Sequence, residues 1–142
     1  MDVPTQLEAV DGAKNVRDWF GYWPTFHDAE VIHLHLNRKG ASSLAIHTWE
    51  ITSEVDEHGY YVLTKHVVVE FLMKDVFGLS LNGFSHQNVL FGLAIEKIED
   101  GYQITLDDSY GIAGTIDAKH VSIRLAPGKP NDTAGEGPDL TL

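Results

Sequence analysis

The period of the hydrophobic residues changes at Pro24, and this change constrains the fold more than any other feature of the sequence. Before it, three apolar residues lie at the i, i+3, i+4 spacing of one helix face, Val16, Trp19 and Phe20. Asp11 is suited to cap such a helix and Gly21 to end it. Because proline cannot continue a helix, the sequence predicts one short helix over residues 12–20.

After Pro24 the hydrophobic residues alternate with a period of two, which is typical of half-buried strands. Glycines recur at a spacing typical of an antiparallel meander, at Gly83, Gly92, Gly101 and Gly111. Asp100-Gly101 is the strongest hairpin signal. The predicted strands are residues 31–36, 43–51, 60–73, 77–81, 89–97, 102–106, 112–116 and 120–125. We therefore expect an α+β fold that is mainly β, an antiparallel sheet or meander of seven to eight strands with one short N-terminal helix.

Length and composition favour a single β-rich domain over residues 1–125. The chain has 142 residues, of which 43% are hydrophobic, and a chain of this size buries about two-thirds of its surface without cross-links. Residues 126–142 are rich in Pro and Gly, acidic and without periodicity, which predicts a flexible tail. The absence of cysteine and the lack of an N-terminal signal pattern predict a cytoplasmic protein.

The charge of the chain limits its partners. Ten Lys and Arg residues stand against 21 Asp and Glu residues, a formal net charge of −11. This balance argues against nucleic acid or an anionic membrane surface as partner and suits a protein with a basic surface. Acidic residues at predicted turns are the candidate binding residues, Glu54, Asp56, Glu57, Glu96, Glu99, Asp100, Asp107 and Asp108. In the alternative interpretation, the charge only keeps a small protein soluble.

An aromatic cluster at the end of the predicted helix leads directly into polar residues. The cluster consists of Trp19, Phe20, Tyr22, Trp23 and Phe26. In the structural interpretation, the aromatic residues anchor the helix on the sheet, while His27 and Asp28 satisfy backbone groups at the junction. In the functional interpretation, His27, Asp28 and Glu30 form a binding or acid–base cluster. Neighbours in sequence point in different directions, which favours the structural interpretation.

A histidine-rich strand face is the second candidate site. His33 and His35 lie two apart on a predicted strand and so share a face, and His47 and His66 lie on the next strands. With Glu30 or Asp28, they offer a nitrogen and oxygen ligand set suited to zinc. The simpler interpretation assigns the core face to Ile32, Leu34 and Leu36 and leaves the histidines as neighbours on the wetter face. We expect no cofactor, and no metal needed for folding.

No catalytic motif is visible in the sequence. It contains neither a Gly-x-Ser-x-Gly elbow nor a phosphate-binding loop. Ser85 and His86 are adjacent, and on a strand such neighbours face opposite ways and form no nucleophile–base pair. The sequence therefore predicts a protein that is not an enzyme.

The segment Trp23-Pro24-Thr25-Phe26-His27-Asp28-Ala29-Glu30-Val31, which leads into a strand, resembles the signature of the immunity protein 50 family. The resemblance continues through Val69-Glu70-Phe71, residues 79–84, Gln87-Asn88-Val89 and Tyr110-Gly111, and so covers roughly residues 15–125. Within the signature, the residues that carry the resemblance are Trp23, Pro24, Phe26, His27, Asp28 and Glu30.

The family consists of bacterial proteins encoded beside toxins of polymorphic toxin systems, which they neutralise by binding. The resemblance implies a small, acidic, non-enzymatic protein whose partner is a cognate toxin with a basic surface. Trp23 then joins the acidic residues as a candidate toxin contact. The alternative is a small β-domain that binds a metal or small ligand through the histidine-rich face, with or without enzymatic activity.

Overall fold

The expected helix and the change to strands after Pro24 are both present in the computed structural model, which describes residues 3–130. A 3₁₀ turn over Thr5–Leu7 precedes the helix α1, Ala13–Phe20. Six strands follow: β1 Glu30–His35, β2 Ala41–Val55, β3 Tyr61–Asn82, β4 Val89–Ile98, β5 Gly101–Tyr110 and β6 Ala113–Pro127. All the strand pairs are antiparallel, so the mainly β prediction is confirmed.

The strand count of seven to eight was wrong, because two predicted breaks lie inside continuous strands. The predicted strands 60–73 and 77–81 both fall in β3, which begins at Tyr61, and the predicted strands 112–116 and 120–125 both fall in β6, which begins at Ala113. The ladder between these two strands shifts register between Val76 and Gly78. A bulge of this kind absorbs an extra residue and bends the strand without ending its pairing.

The strands form a closed barrel in the order β1-β2-β3-β6-β5-β4. A simple meander pairs β3 with β4, whereas here β3 pairs with β6 from Val67↔Pro127 to Asn82↔Ala113. Closure occurs between β1 and β4, where Glu30 is opposite Val89. The expected hairpin at Asp100-Gly101 joins β4 to β5. Closing the sheet removes the edge strands that an open sheet exposes.

The helix begins differently from the prediction. Gly12, in a left-handed conformation with φ +90°, is the N-cap residue, and no side chain caps the helix. The carbonyl of Asp11 instead accepts a hydrogen bond from Ile123 N–H at 2.8 Å, which docks the helix start on β6. The predicted end at Gly21 is confirmed, since its N–H donates to Arg17 O at 2.8 Å.

The core fills the barrel and extends under α1. Phe26 packs edge-on against both Phe20 of the helix and Phe71 of β3, with ring centroids 5.9 Å apart in each pair. The largest wholly buried side chains include Leu7, Val16, Leu44, Ile46, Phe71, Met73, Leu90, Ile104, Leu106 and Ile116. Ring contacts through Phe26 therefore connect the helix to β3.

The prediction for the core face of β1 was partly wrong. Ile32 and Leu36 are exposed, while Val31 is buried and Leu34 packs against the core. The cause is a register shift against β2 between Val31 and His33. One extra residue at this bulge moves the following side chains to the opposite face.

One ribbon of the described chain, formed by β2 and β3, lies outside the barrel pairing. Beyond His47↔Glu30 and Val67↔Pro127, the described residues of β2 and β3 pair only with each other. We call residues 50–65 the arm.

The predicted tail begins inside a strand. β6 includes Ala126 and Pro127, and residues 131–142 of the predicted tail lie outside the described residues. Within residues 3–130, no helix has the length and apolar character needed to cross a membrane.

Candidate binding surface

The Trp23–Val31 signature closes the barrel. Its backbone runs along the start of β4, and we call this contact the seam. Four backbone hydrogen bonds of 2.8–2.9 Å join the two segments: Asp28 N to Leu90 O, Leu90 N to Ala29 O, Leu93 N to Thr25 O and Val31 N to Asn88 O. The signature therefore completes the sheet, in agreement with its structural interpretation.

The backbone of the seam alternates sharply between core and surface. Phe26 and Asp28 have left-handed conformations, with φ of 61° and 69°. A bulky residue in this region costs about 1–3 kcal/mol, so surrounding contacts must hold it. Phe26 is held by its contacts with Phe20 and Phe71. The result places Phe26 and Ala29 in the core and leaves His27 on the surface.

His27 is fixed on the outside of the seam. Its Nδ1 donates to the backbone carbonyl of Phe91 at 2.9 Å, and the two rings meet edge-on at 5.2 Å. Its Nε2 lies 3.5 Å from Asp28 Oδ1. Glu30 instead lies 3.8 Å from His47 Nδ1 in β2. His27 and Asp28 therefore contact each other, whereas Glu30 contacts a different histidine, and the three side chains do not converge on one acid–base centre.

An open groove of about 640 Å³ runs beside the seam along the outer face of β4, and we call it the β4 groove. Its lining includes Trp23, Pro24, His27, Phe91, Glu96 and Asp107. Phe91 is 62% exposed and gives the groove an apolar surface beside two carboxylates. The groove thus brings together Trp23, Glu96 and Asp107 from three separate parts of the sequence.

The other candidate acidic residues lie in several places. Glu99 and Asp100 form the turn between β4 and β5, whereas Asp107 and Asp108 lie within β5 and not at the predicted turn. Glu54, Asp56 and Glu57 belong to the arm. Asp56 has a structural role there, since its Oδ1 accepts hydrogen bonds from His58 N–H at 2.8 Å and Tyr60 N–H at 3.0 Å.

The candidate metal-binding histidines form two separate pairs. The rings of His33 and His35 stack at 4.3 Å, and His47 Nε2 lies 3.0 Å from His66 Nδ1. Trp49 lies beside the second pair, 4.8 Å from the ring of His47. Within residues 3–130, no group of three or more His, Cys, Asp or Glu residues is placed to hold a metal ion. The metal interpretation remains the alternative to a protein-binding role.

The prediction that Ser85 and His86 face opposite ways is wrong. These residues lie in the loop between β3 and β4, where neighbours can turn to the same side. Ser85 Oγ lies 3.2 Å from His86 Nδ1. A nucleophile–base pair also needs a group that orients the base, and in the described part of the chain no ion pair joins His86 to a carboxylate.

The imidazole of His33, in β1, is affected by partial burial and by its charged neighbours. Its Nδ1 is buried and has no hydrogen-bond partner among residues 3–130. Burial lowers the pKa of the His33 imidazole below its ordinary value near 6.5, and the positive charge of protonated His35 lowers this pKa further. The carboxylate of Glu70 acts in the opposite direction.

We expect the pH dependence of stability to change when His33 is replaced by glutamine. Because the folded state holds the His33 proton less tightly than the unfolded chain, the wild type loses stability as the pH falls below about 6.5, and His33→Gln removes this part of the loss. Urea unfolding at about pH 7 and about pH 5 measures it. His58→Gln, at an exposed position of the arm turn, is the control. Equal pH dependence in the His33→Gln variant and the wild type would contradict the assignment.

Sequence reasoning missed the exposed apolar residues of the arm. They are Ile51, Val55, Tyr60, Tyr61 and Leu63. The sequence contains one signal for them, the run of four consecutive apolar or aromatic residues at Tyr60-Tyr61-Val62-Leu63. A half-buried strand alternates apolar and polar residues, and an unbroken apolar run is also typical of a fully buried strand, so the sequence does not by itself show that these residues are exposed.

Comparison with known proteins supports the resemblance seen in the sequence. The family model described as Immunity protein 50 matches residues 12–126, which include α1, the seam and almost all of the barrel. No curated protein and no solved structure matches the chain significantly.

Proposed function

The chain belongs to the immunity protein 50 family, and we propose on this premise that it binds and neutralises a cognate protein toxin. The family match is the observation that carries the proposal. We further propose that the protein acts without catalysis, in the cytoplasm of the bacterium that produces it. Neutralisation then depends on a surface that fits the toxin, so the exposed surfaces of the barrel are the relevant part of the structure.

The β4 groove has the composition expected of a protein-binding surface. Trp23 and Phe91 offer apolar contact area, and Glu96 and Asp107 stand beside them. Aromatic anchors in a pocket supply most of the binding free energy at protein interfaces, while charged residues at the rim mainly guide encounter. We propose that these residues contact the toxin, together with the exposed carboxylates of Glu54, Asp56, Glu57, Glu99, Asp100 and Asp108.

The net charge of −11 indicates what the toxin surface is like. A strongly negative protein attracts a basic partner over a distance of about one Debye length, roughly 10 Å at 0.1 M salt. The proposed partner therefore carries a basic patch. This attraction accelerates association, and dissociation depends more on the apolar anchors.

We expect association with the toxin to slow by about tenfold or more between about 50 mM and about 500 mM salt. The measurement is stopped-flow or surface-based kinetics with the purified toxin domain encoded by the gene beside that of this protein. Dissociation should change much less over the same range. An association rate that is insensitive to salt would remove the electrostatic part of the proposal.

A matched pair of variants tests the position of the charges. Asp107→Asn removes a carboxylate from the β4 groove, and Asp75→Asn removes an exposed carboxylate from β3. Each variant loses one negative charge, so a difference between their association rates reports the position of that charge. We expect Asp107→Asn to slow association a few-fold more than Asp75→Asn. Equal rates would show that the groove is not the region of contact.

A further inference from the structure

The arm is a two-stranded ribbon that extends past the barrel. Ile51 is opposite Leu63, and Val55 is opposite Tyr61, near its tip. No other strand within residues 3–130 pairs with residues 50–65. An isolated ribbon has no core of its own and leaves both outer edges unpaired. The stability of the barrel therefore does not explain why the chain forms this exposed ribbon.

The side chains of the arm are unusual for an exposed ribbon. Large apolar residues are well exposed there, with Ile51 at 62% and Tyr61 at 63%. The same segment carries four carboxylates, Glu50, Glu54, Asp56 and Glu57, against a single lysine, Lys65. Charges alone can protect a strand edge from aggregation. Exposed apolar side chains have the opposite effect, and together with acidic neighbours they mark an interaction surface.

The base of the arm is fixed to the body of the protein. Lys65 has a left-handed conformation with φ 54°, at the point where β3 leaves the barrel. Its Nζ donates to the Trp19 carbonyl at 2.6 Å and lies 5.4 Å from the centre of the Trp19 ring. The same Nζ lies 4.0 Å from Glu50 Oε2. These contacts hold the ribbon against the end of α1, so the arm projects from a fixed base.

We propose that the arm enters a basic, apolar-lined cleft of the toxin and supplies the anchors that keep the complex together. This inference rests on the proposed function and names the segment that carries it. Exposed aromatic and aliphatic side chains become buried in the cleft, while the carboxylates meet its cationic rim. A paired ribbon is pre-organised, so it loses little conformational entropy on binding.

The negative charge of the arm favours a basic toxin cleft over a second copy of the chain as its binding partner. Two arms placed edge to edge would bring eight carboxylates together around two lysines, and like charges across an interface oppose association. A basic partner removes this repulsion. The arm also differs from the β4 groove in its expected contribution, since the groove carries one exposed phenylalanine and the arm carries five exposed large apolar residues.

Two matched pairs of variants test the inference in binding kinetics with the purified toxin domain encoded beside this gene. Leu63→Ser on the arm is paired with Leu79→Ser on the barrel, where the exposed fractions of the two leucines are 41% and 50%. Tyr61→Ala is paired with Tyr110→Ala, where they are 63% and 52%. Circular dichroism and thermal unfolding confirm that each variant is folded before it is used.

We expect each arm variant to dissociate about thirty-fold faster or more, with an association rate within a few-fold of the wild type. The barrel variants should behave as the wild type does. Arm variants with unchanged dissociation, or barrel variants with equal losses, would overturn the role of the arm and leave the proposed function intact.

Two further outcomes overturn the inference for different reasons. If the wild type does not bind the toxin domain, the proposed function fails, and the role of the arm fails with it. If sedimentation shows that the wild type self-associates and that Leu63→Ser and Tyr61→Ala abolish this without affecting toxin binding, the occupant of the arm is a second copy of the chain.

Discussion

Replacing Gly12 with alanine is expected to lower the free energy of unfolding by about 3 kcal/mol or more. A Cβ atom at this position would lie 1.8 Å from the carbonyl oxygen of Ile123 in β6. The obstacle is backbone, which cannot move aside without disrupting the contact of Asp11 with the same strand. The residue also has a φ of +90°, which alanine adopts at a cost. The helix start should therefore separate from the barrel.

Gly21→Ala is the matched control for this substitution. Gly21 has nearly the same conformation, with a φ of +82°, and its added Cβ would meet nothing within 4 Å. Gly21→Ala should lose only the free energy needed to place alanine in a left-handed conformation, about 1–2 kcal/mol. Urea or guanidinium unfolding of both variants measures the difference. An equal loss in the two variants would show that α1 does not dock tightly on β6.

Replacing Asn88 with alanine should cost about 2–4 kcal/mol of unfolding free energy. The Asn88 side chain is buried, and its Oδ1 accepts hydrogen bonds from Ser85 N–H at 3.0 Å and Ile112 N–H at 2.9 Å. Its Nδ2 donates to Ser85 O at 2.9 Å. Alanine leaves these backbone groups without a partner beside the seam, and buried groups without partners are expensive.

Asn82→Ala removes the same amide from an exposed position at the end of β3. We expect its effect to stay within about 0.5 kcal/mol, as for most surface substitutions. Chemical denaturation of the two alanine variants gives the comparison. If Asn88→Ala is as stable as Asn82→Ala, the bonds of Asn88 do not hold the loop between β3 and β4 to the start of β6.

Local signals in the sequence were sufficient for the end of the helix and the β4–β5 hairpin, and insufficient for the strand count and the strand pairing. Gly21 ends the helix and Asp100-Gly101 makes a hairpin because each turn depends on its own few residues. The contact between β3 and β6 joins residues far apart in sequence and leaves no periodic signature. The bulge after Val76 has the same polar neighbours as a turn, so the sequence alone does not separate the two.

The candidate site shows the same division. Sequence reasoning selected Trp23, Glu96 and Asp107 individually, and the barrel brings them to one groove. The seam depends on left-handed conformations at Phe26 and Asp28, which the packing of the closed barrel imposes and residue type does not favour. The sequence did not predict the arm as a unit, because its two halves continue predicted strands 43–51 and 60–73. Where those strands leave the barrel depends on where β1 and β6 stop pairing with them.

The most direct measurement of the proposed function is a titration of toxin activity with the purified protein. The probe is the cognate toxin domain, which the proposed function expects to be encoded by a neighbouring gene, assayed for its own activity while increasing amounts of the folded wild-type protein are added. We expect the activity to fall to background as the complex saturates, and Tyr61→Ala to require a higher concentration than Tyr110→Ala. Full toxin activity in the presence of excess folded wild-type protein would contradict a role in immunity.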